Sequence, residues 1–181
     1  MDYLTEINKG LDAQLEKNVK ALPKDFNKPR FMQNCMTLLQ DGADLSKYEP
    51  RTVVRTLLKA AYLDLDFFMG ECYAIPYGNK LNFQTDYKGE IKLAKKYSKN
   101  PIKDIYARLV RKGDVFEESV IDGEQKLIFK PLPFNNGEII GTFAVCLFKD
   151  GSMLTESMSI EDVEKVRKNY AQQKSPAWDK S

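Results

Sequence analysis

Nine lysines and arginines fall between positions 88 and 112 (88, 92, 95, 96, 99, 103, 108, 111 and 112), against two acids, Glu90 and Asp104. The segment carries +7 in a chain whose formal total is +2, which leaves about −5 for everything else. Charge concentrated in this way is the electrostatic footprint of a polyanion, most readily a nucleic acid. Projected as a helix over 87–99, Lys88, Lys92, Lys95, Lys96 and Lys99 share an arc of about 100°, with Tyr87, Ile91, Leu93, Ala94 and Tyr97 opposite. One face can pack while the other presents five ammonium groups. Lys88 near the helix start opposes the macrodipole, a conflict that an anion meeting both the free amides and the lysine would relieve. A solvated lysine face that serves only solubility is the competing reading.

The next segment repeats the theme at a period of two. Tyr106, Arg108, Val110 and Lys112 point one way along a strand, and Ile105, Ala107 and Leu109 the other. An aromatic ring beside two cations on an open sheet face suits single-stranded nucleic acid, with bases stacked on rings and phosphates against charges. The alternative is that Tyr106 and Val110 pack under another element while Arg108 snorkels past them. Farther on, Asp114, Glu117, Glu118, Asp122 and Glu124 form an acidic cluster around a hairpin tip. Such a group could hold Mg²⁺ for a nuclease; a solvated turn, or a patch facing the basic surface of a neighbouring subunit, explains it as well. The chain has no histidine. That removes Cys/His zinc sites, Ser-His-Asp triads and imidazole bases together, and no Gly-x-x-x-x-Gly-Lys-Ser/Thr stretch offers a P-loop.

These residues need a scaffold of mixed type. Leu4, Ile7, Leu11, Leu15 and Val19 recur at three and four and predict a first helix. A second begins near Asn27-Lys28-Pro29, with Phe31, Cys35, Leu38 and Leu39 inward, and stops around Asp41-Gly42. A third starts at Glu49-Pro50, where proline suits the first turn, and buries Val53, Val54, Leu57, Leu58 and Ala61. After Gly70 the period becomes alternating, and a hairpin over 71–84 turns at Gly78-Asn79. Asp86 can cap the basic helix, 87–99. Strands follow over 103–112, 114–120 and 125–130, the last two turned at Asp122-Gly123. The strand over 138–149 is apolar on both faces, as expected in a sheet interior. It turns at Asp150-Gly151 into 152–158. Ser159 and Asp162 form a weak capping box for a final helix with Val163, Val166 and Tyr170 inward. The fold class is α+β: a helical region over 1–70, an antiparallel sheet with the basic helix over 71–158, and a C-terminal helix and tail over 159–181, in one domain.

At 181 residues, with 43% hydrophobic content, the chain suits a single globular core. No apolar run approaches the ~20 residues of a membrane span and no basic-then-apolar leader is present, so a cytoplasmic protein is expected. Cys35, Cys72 and Cys146 are odd in number and widely spaced, and read as reduced core thiols.

Three stretches together resemble the RecT family of phage recombinases, distantly akin to the Beta protein of phage lambda. Tyr73-Ala74-Ile75-Pro76-Tyr77-Gly78-Asn79-Lys80 is similar to the family's Tyr-x-(Leu/Phe)-Pro-Phe-Gly-Asn-Lys. Phe83-Gln84-Thr85-Asp86-Tyr87-Lys88-Gly89, continuing through Leu93-Ala94, resembles its strand, Tyr-Arg-Gly and Leu-Ala-Arg-Arg helix. Ala107-Arg108-Leu109-Val110-Arg111-Lys112-Gly113-Asp114-Val115-Phe116 resembles Ala-Arg-Val-Val-Arg-Glu-Gly-Asp-x-Phe. Fainter likenesses reach Leu147–Gly151 and Pro176-Ala177-Trp178. Two departures stand out. The family continues past Trp178 into another basic helix, so a shortened C-terminus is expected here. Leu65–Gly70, with Phe67-Phe68-Met69, replaces a polar Gly-Leu-x-Pro turn and is either core or subunit contact.

The resemblance implies a protein that binds single-stranded DNA and anneals complementary strands without ATP during phage or prophage recombination, with no catalytic site. It implies assembly as a homo-oligomeric ring or filament, and it admits a phage exonuclease or a host single-strand-binding protein as further partners. No cofactor is required, with Mg²⁺ at most a counterion for DNA, and neither a metal site nor a membrane partner is expected. On this reading Lys80, Lys88, Lys92, Lys95, Lys96, Arg108, Arg111 and Lys112 contact phosphates, and Tyr77, Tyr106 and Trp178 stack on or wedge between bases. A metal-dependent nuclease, or an interaction module whose basic helix binds an acidic protein, are the alternatives.

Overall fold

The computed structural model describes residues 2–42 and 44–170. The chain divides into two compact units, Met1–Tyr97 and Ser98–Ser181. One core was expected, but among the described residues the buried hydrophobics form two clusters, one in each unit.

The first unit contains α1 (Tyr3–Lys17), α2 (Lys28–Asp41), α3 (Pro50–Leu63), the hairpin β1 (Cys72–Tyr77) and β2 (Lys80–Thr85), and α4 (Tyr87–Tyr97). Ile7, Leu11 and Leu15 of α1 are fully buried, as their spacing predicts. Val19 is not part of that stripe: α1 ends at Lys17, a single 3₁₀ turn follows, and Val19 is 63% exposed. Helix α3 is the centre of this core, burying Val53, Val54, Leu57, Leu58, Ala60 and Ala61. Its exposed positions are Arg51, Arg55 and Lys59. The β1–β2 hairpin turns at Gly78, whose φ of +57° is the left-handed region that favours glycine. Its inner face, Cys72, Ala74, Leu81 and Phe83, joins the cluster. Phe67 is core, set edge-on to Phe83 with ring centroids 6.3 Å apart, whereas Phe68 and Met69 are exposed. Cys35 and Cys72 are buried, and burial pushes both thiols up, Cys72 to about 12.

Glu71 is where these pieces join. Its Oε2 accepts from the Asp66 N–H at 2.8 Å and from Lys92 Nζ of α4 at 2.9 Å. Its N–H donates to the Asp66 carbonyl, and its carbonyl accepts from the Asp86 N–H, both at 3.0 Å. Asp66 Oδ2 in turn accepts from Asn34 Nδ2 of α2 at 3.0 Å. Helix α4 approaches so closely that a Cβ on Gly89 would lie 2.2 Å from the Glu71 carbonyl oxygen. Leu93 then reaches the core. The helix stops at Tyr97 rather than at the expected 99, because Asn100 precedes Pro101, a position that disfavours helix, and the Ser98 hydroxyl donates to the Asn100 carbonyl. Lys99 therefore lies outside the helical lysine face.

In the second unit, β3 (Ile102–Arg111), β6 (Ile139–Phe148) and β7 (Met153–Ser159) form an antiparallel sheet in the order β3-β6-β7. Strands β4 (Val115–Ile121) and β5 (Glu124–Lys130) make a separate hairpin, turned at Asp122 and Gly123 with φ of +52° and +80°. The strands expected over 71–158 thus form three sheets, all antiparallel. The aromatic side of the second hairpin packs on one sheet face, where Phe143 (2% exposed) meets Phe116 and Phe129 at 5.3 and 4.9 Å between centroids. Gln125 bonds the exposed edge of β7, its Nε2 donating to the Thr155 carbonyl at 3.2 Å and its Oε1 accepting from the Thr155 N–H at 2.6 Å. Strand β6 is central, but only one of its faces is buried. Ile140, like Leu109 of β3 and Leu154 of β7, is about half exposed. Helix α5 (Ile160–Tyr170) starts at the expected capping box, with the Asp162 N–H donating to Ser159 Oγ at 3.1 Å. Tyr170, expected inward, is 82% exposed.

Replacing Gly89 with alanine drives a methyl group into the Glu71 carbonyl, and neither backbone can yield without moving α4. Gly89→Ala is expected to destabilise the protein by about 1–3 kcal/mol, measured by chemical denaturation.

Candidate nucleic-acid interface

In the first unit, two surfaces carry the residues singled out by sequence. The lysine face of α4 exists, but its members have different partners. Lys88 is exposed, and its backbone N–H donates to Asp86 Oδ1 at 3.2 Å. Lys92 is half-buried on Glu71, and Lys96 Nζ lies 3.1 Å from Asp64 Oδ2 and 5.7 Å from the Tyr97 ring. Two of the proposed phosphate contacts are therefore already charge-neutralised within their own unit. Lys92 is first a strut between α4 and the loop before β1. Lys95 is exposed on the same helix.

The second surface is the outer face of the β1–β2 hairpin. The register pairs Tyr73 with Gln84, Ile75 with Asn82 and Tyr77 with Lys80. Because side chains alternate along a strand, these six share one face, with Tyr73 45% and Tyr77 58% exposed and Lys80, Asn82 and Gln84 also in solvent. Two phenol rings, two amides and an ammonium make a surface that can stack bases and hydrogen-bond their edges. Tyr48 Oη donates to the Gly78 carbonyl at 3.1 Å and ties the tip to the helical part of the unit. Lys80 and Tyr77 were singled out from sequence; Tyr73, Asn82 and Gln84 were not. The strand period of two, carried through the hairpin, was the signal for them.

In the second unit, β3 resolves the earlier alternatives residue by residue. Val110 is 4% exposed and packs with Phe143 and Val145, so that end of the face is core. Tyr106 and Arg108 extend past the covering hairpin, 37% exposed for the tyrosine, with the guanidinium carbon 5.6 Å from the ring centre. Arg111 is half-buried, and its Nη1 donates to the Gly137 carbonyl at 2.7 Å. Its guanidinium holds the loop before β6. Lys112 is exposed and bonded only through its backbone among the described residues. Trp178 lies outside the described residues.

The acidic cluster is dispersed. Asp114 accepts from the Leu132 N–H, the Arg111 N–H and the Asn135 amide, which together hold its carboxyl below the ordinary 3.8. Glu118 accepts from the hydroxyls of Ser157 and Thr155 across the hairpin-to-sheet contact, and these hold it below 4.5. Glu124 pairs with Lys126, and Asp122 forms the turn. Among the described residues, no group of three or more His, Cys, Asp or Glu side chains is placed to hold a metal ion. Among them too, no helix is long and apolar enough to cross a membrane.

The architecture is that of an α+β protein with cationic, aromatic-bearing surfaces on each of two units. Residues 29–181 match the sequence model of the RecT family, and the chain belongs to that family. It is 27% identical over 177 residues to Protein RecT of Escherichia coli (strain K12), an alignment covering 92% of this chain and 64% of that protein. It is likewise 27% identical over 144 residues to the uncharacterized protein YqaK of Bacillus subtilis (strain 168), covering 78% of this chain and 49% of the other. The chain thus spans between about half and two thirds of the length of these curated relatives.

Two outcomes are expected from this geometry. Lys92→Ala strips one donor from a largely buried carboxylate and should cost about 1–2 kcal/mol of stability. Lys88→Ala should leave stability within about 0.5 kcal/mol, and paired melting curves separate the two lysines. Asp114 and Glu118 have folded pKa values below their unfolded ones. Their contribution is complete above the unfolded values and is lost as pH falls through the folded ones. Melting temperature should therefore decline below about pH 4.5, and Glu118→Gln should start lower at pH 7 and decline less. An identical decline in the variant would remove Glu118 from this role.

Proposed function

We propose that this protein binds single-stranded DNA and anneals it to a complementary strand, without a nucleotide cofactor, in phage or prophage recombination. The observation that carries the reading is the outer face of the β1–β2 hairpin, where Tyr73, Tyr77, Lys80, Asn82 and Gln84 stand together in solvent. Membership of the RecT family supports it, as do the exposed cations Lys88 and Lys95 on α4 and Arg108 and Lys112 in the second unit. Annealing needs no energy input, because pairing releases about 1.4 kcal/mol per stacked step. The protein's task is geometric. Cations hold the sugar–phosphate chain extended, and rings and amides keep the bases unstacked from hairpins and free to find a complement. A homo-oligomer would align many such surfaces along one strand, and Mg²⁺ enters only as a counterion. Lys80, Lys88, Lys95, Arg108 and Lys112 are assigned to phosphates. Lys92, Lys96 and Arg111 join them only to the extent that DNA competes with Glu71, Asp64 and the Gly137 carbonyl. Tyr77 and Tyr106 are assigned to bases.

Two complementary oligonucleotides, one labelled, should anneal faster with this chain than alone, with ATP absent and strand lengths unchanged in Mg²⁺ or Mn²⁺. With about five phosphate contacts per subunit, log affinity for single strands should fall against log salt with a slope of about −3 to −4. A flat salt response, or shortened strands, would overturn the assignment.

A further inference from the structure

Helix α3 carries a surface that neither the sequence pattern nor the α4 face accounts for. Among its fourteen residues there are three cations and no acid. Those cations, Arg51, Arg55 and Lys59, are the helix's exposed positions, all others being buried or half-buried. Spaced at i, i+4 and i+8 they form one stripe, each step rising about 6 Å. None makes an ion pair or a side-chain hydrogen bond among the described residues. This contrasts with Lys28 on α2, which sits between Asp12 and Glu16 of α1 at 2.6 and 3.0 Å. The stripe does not help its own helix. Like charges at i, i+4 repel, and Arg51 in the first turn opposes the dipole.

Past Lys59 the stripe meets Tyr62, its i+3 neighbour. Tyr62 lines an open cleft of about 490 Å³ with Tyr97, Lys24, Lys96 and Leu22. The cleft also contains Asp25 and the Lys96-paired Asp64, so its own charge is nearly balanced and its rings are its distinctive feature.

We infer that Arg51, Arg55 and Lys59 form a phosphate-binding stripe for single-stranded nucleic acid, distinct from the α4 lysines, which leads bases toward Tyr62 and Tyr97. The chemistry favours nucleic acid over an acidic protein surface. The 6 Å step is a little under twice the 3.4 Å rise of a stacked strand, so the stripe matches a backbone stretched beyond stacking. The rings stand at its end, as a base-stacking platform requires. The inference rests on the single-strand binding proposed above.

The test compares the full chain with Arg51→Gln/Arg55→Gln/Lys59→Gln, and with an equal-charge control, Lys9→Gln/Lys17→Gln/Lys20→Gln. Each is titrated with a fluorescein-labelled oligothymidylate across a salt series, with circular dichroism as a fold check. Losing three contacts should make the salt slope shallower by about 2 and weaken binding at 0.1 M salt by about a hundredfold, with the control near wild type. Arg51→Lys/Arg55→Lys, which keeps the charge, should keep the slope. Equal slopes in the stripe variant and the control overturn the inference while single-strand binding stands. A wild type that fails to bind overturns both. Unchanged affinity with a changed assembly size makes the stripe a contact between copies, and overturns it as a nucleic-acid site.

Discussion

The arrangement of the first unit depends on one acidic residue between helix and hairpin. Every polar group of Glu71 except one carboxylate oxygen has an assigned hydrogen-bond role: N–H and side chain organise the Asp66 loop, the carbonyl caps the entry to α4, and the carboxylate holds Lys92. A largely buried carboxylate must be matched by donors or it is costly. Here the donors come from two different elements, so desolvation of one charge becomes a means of locking their relative position. Gly89 completes the junction by letting the backbones touch. The orientation of the α4 lysines follows from it. With Lys92 drawn inward and Leu93 in the core, the face carrying Lys88 and Lys95 is left in solvent.

The cations of this chain accordingly divide by what they meet. Lys92, Lys96, Lys28 and Arg111 are spent on carboxylates or a carbonyl within their own unit. Lys88, Lys80, Arg108, Lys112 and the α3 stripe face solvent without such partners. Only the second group can exchange counterions for phosphates at no structural cost. On the proposed single-strand binding, keeping these roles apart means that loss of the ligand leaves the scaffold intact.

Much of this was legible before any coordinates. The apolar spacings of α1, α2 and α3, the Gly78-Asn79 and Asp122-Gly123 turns, and the Ser159 capping box are local signals, and each produced the element it predicts. What failed was non-local. Val19 and Tyr170 continue their stripes in sequence, but both are exposed. The second face of β6 read as interior, yet its Ile140 is about half exposed. The partners of Lys92 and Arg111 lie 21 and 26 residues away in opposite directions, and no charge count reveals such pairings. On α3 the apolar spacing accounted for the helix and left Arg51, Arg55 and Lys59 unread, although they are its exposed positions.

The Gln125 amide on β7 has a consequence for growth of the sheet. A strand at the margin of a sheet offers bare peptide groups to any passing chain. At Thr155 both of those groups are already taken by a side chain that imitates a peptide, so recruitment of a foreign strand there is blocked at its midpoint. On the opposite margin, β3, side chains likewise occupy peptide donors: the Ile105 N–H donates to Asp104 Oδ1 and the Arg111 N–H to Asp114 Oδ2, both at 2.9 Å. Carboxylates and an amide thus blunt both margins of the three-stranded sheet, which resists lengthening by a foreign strand at either side.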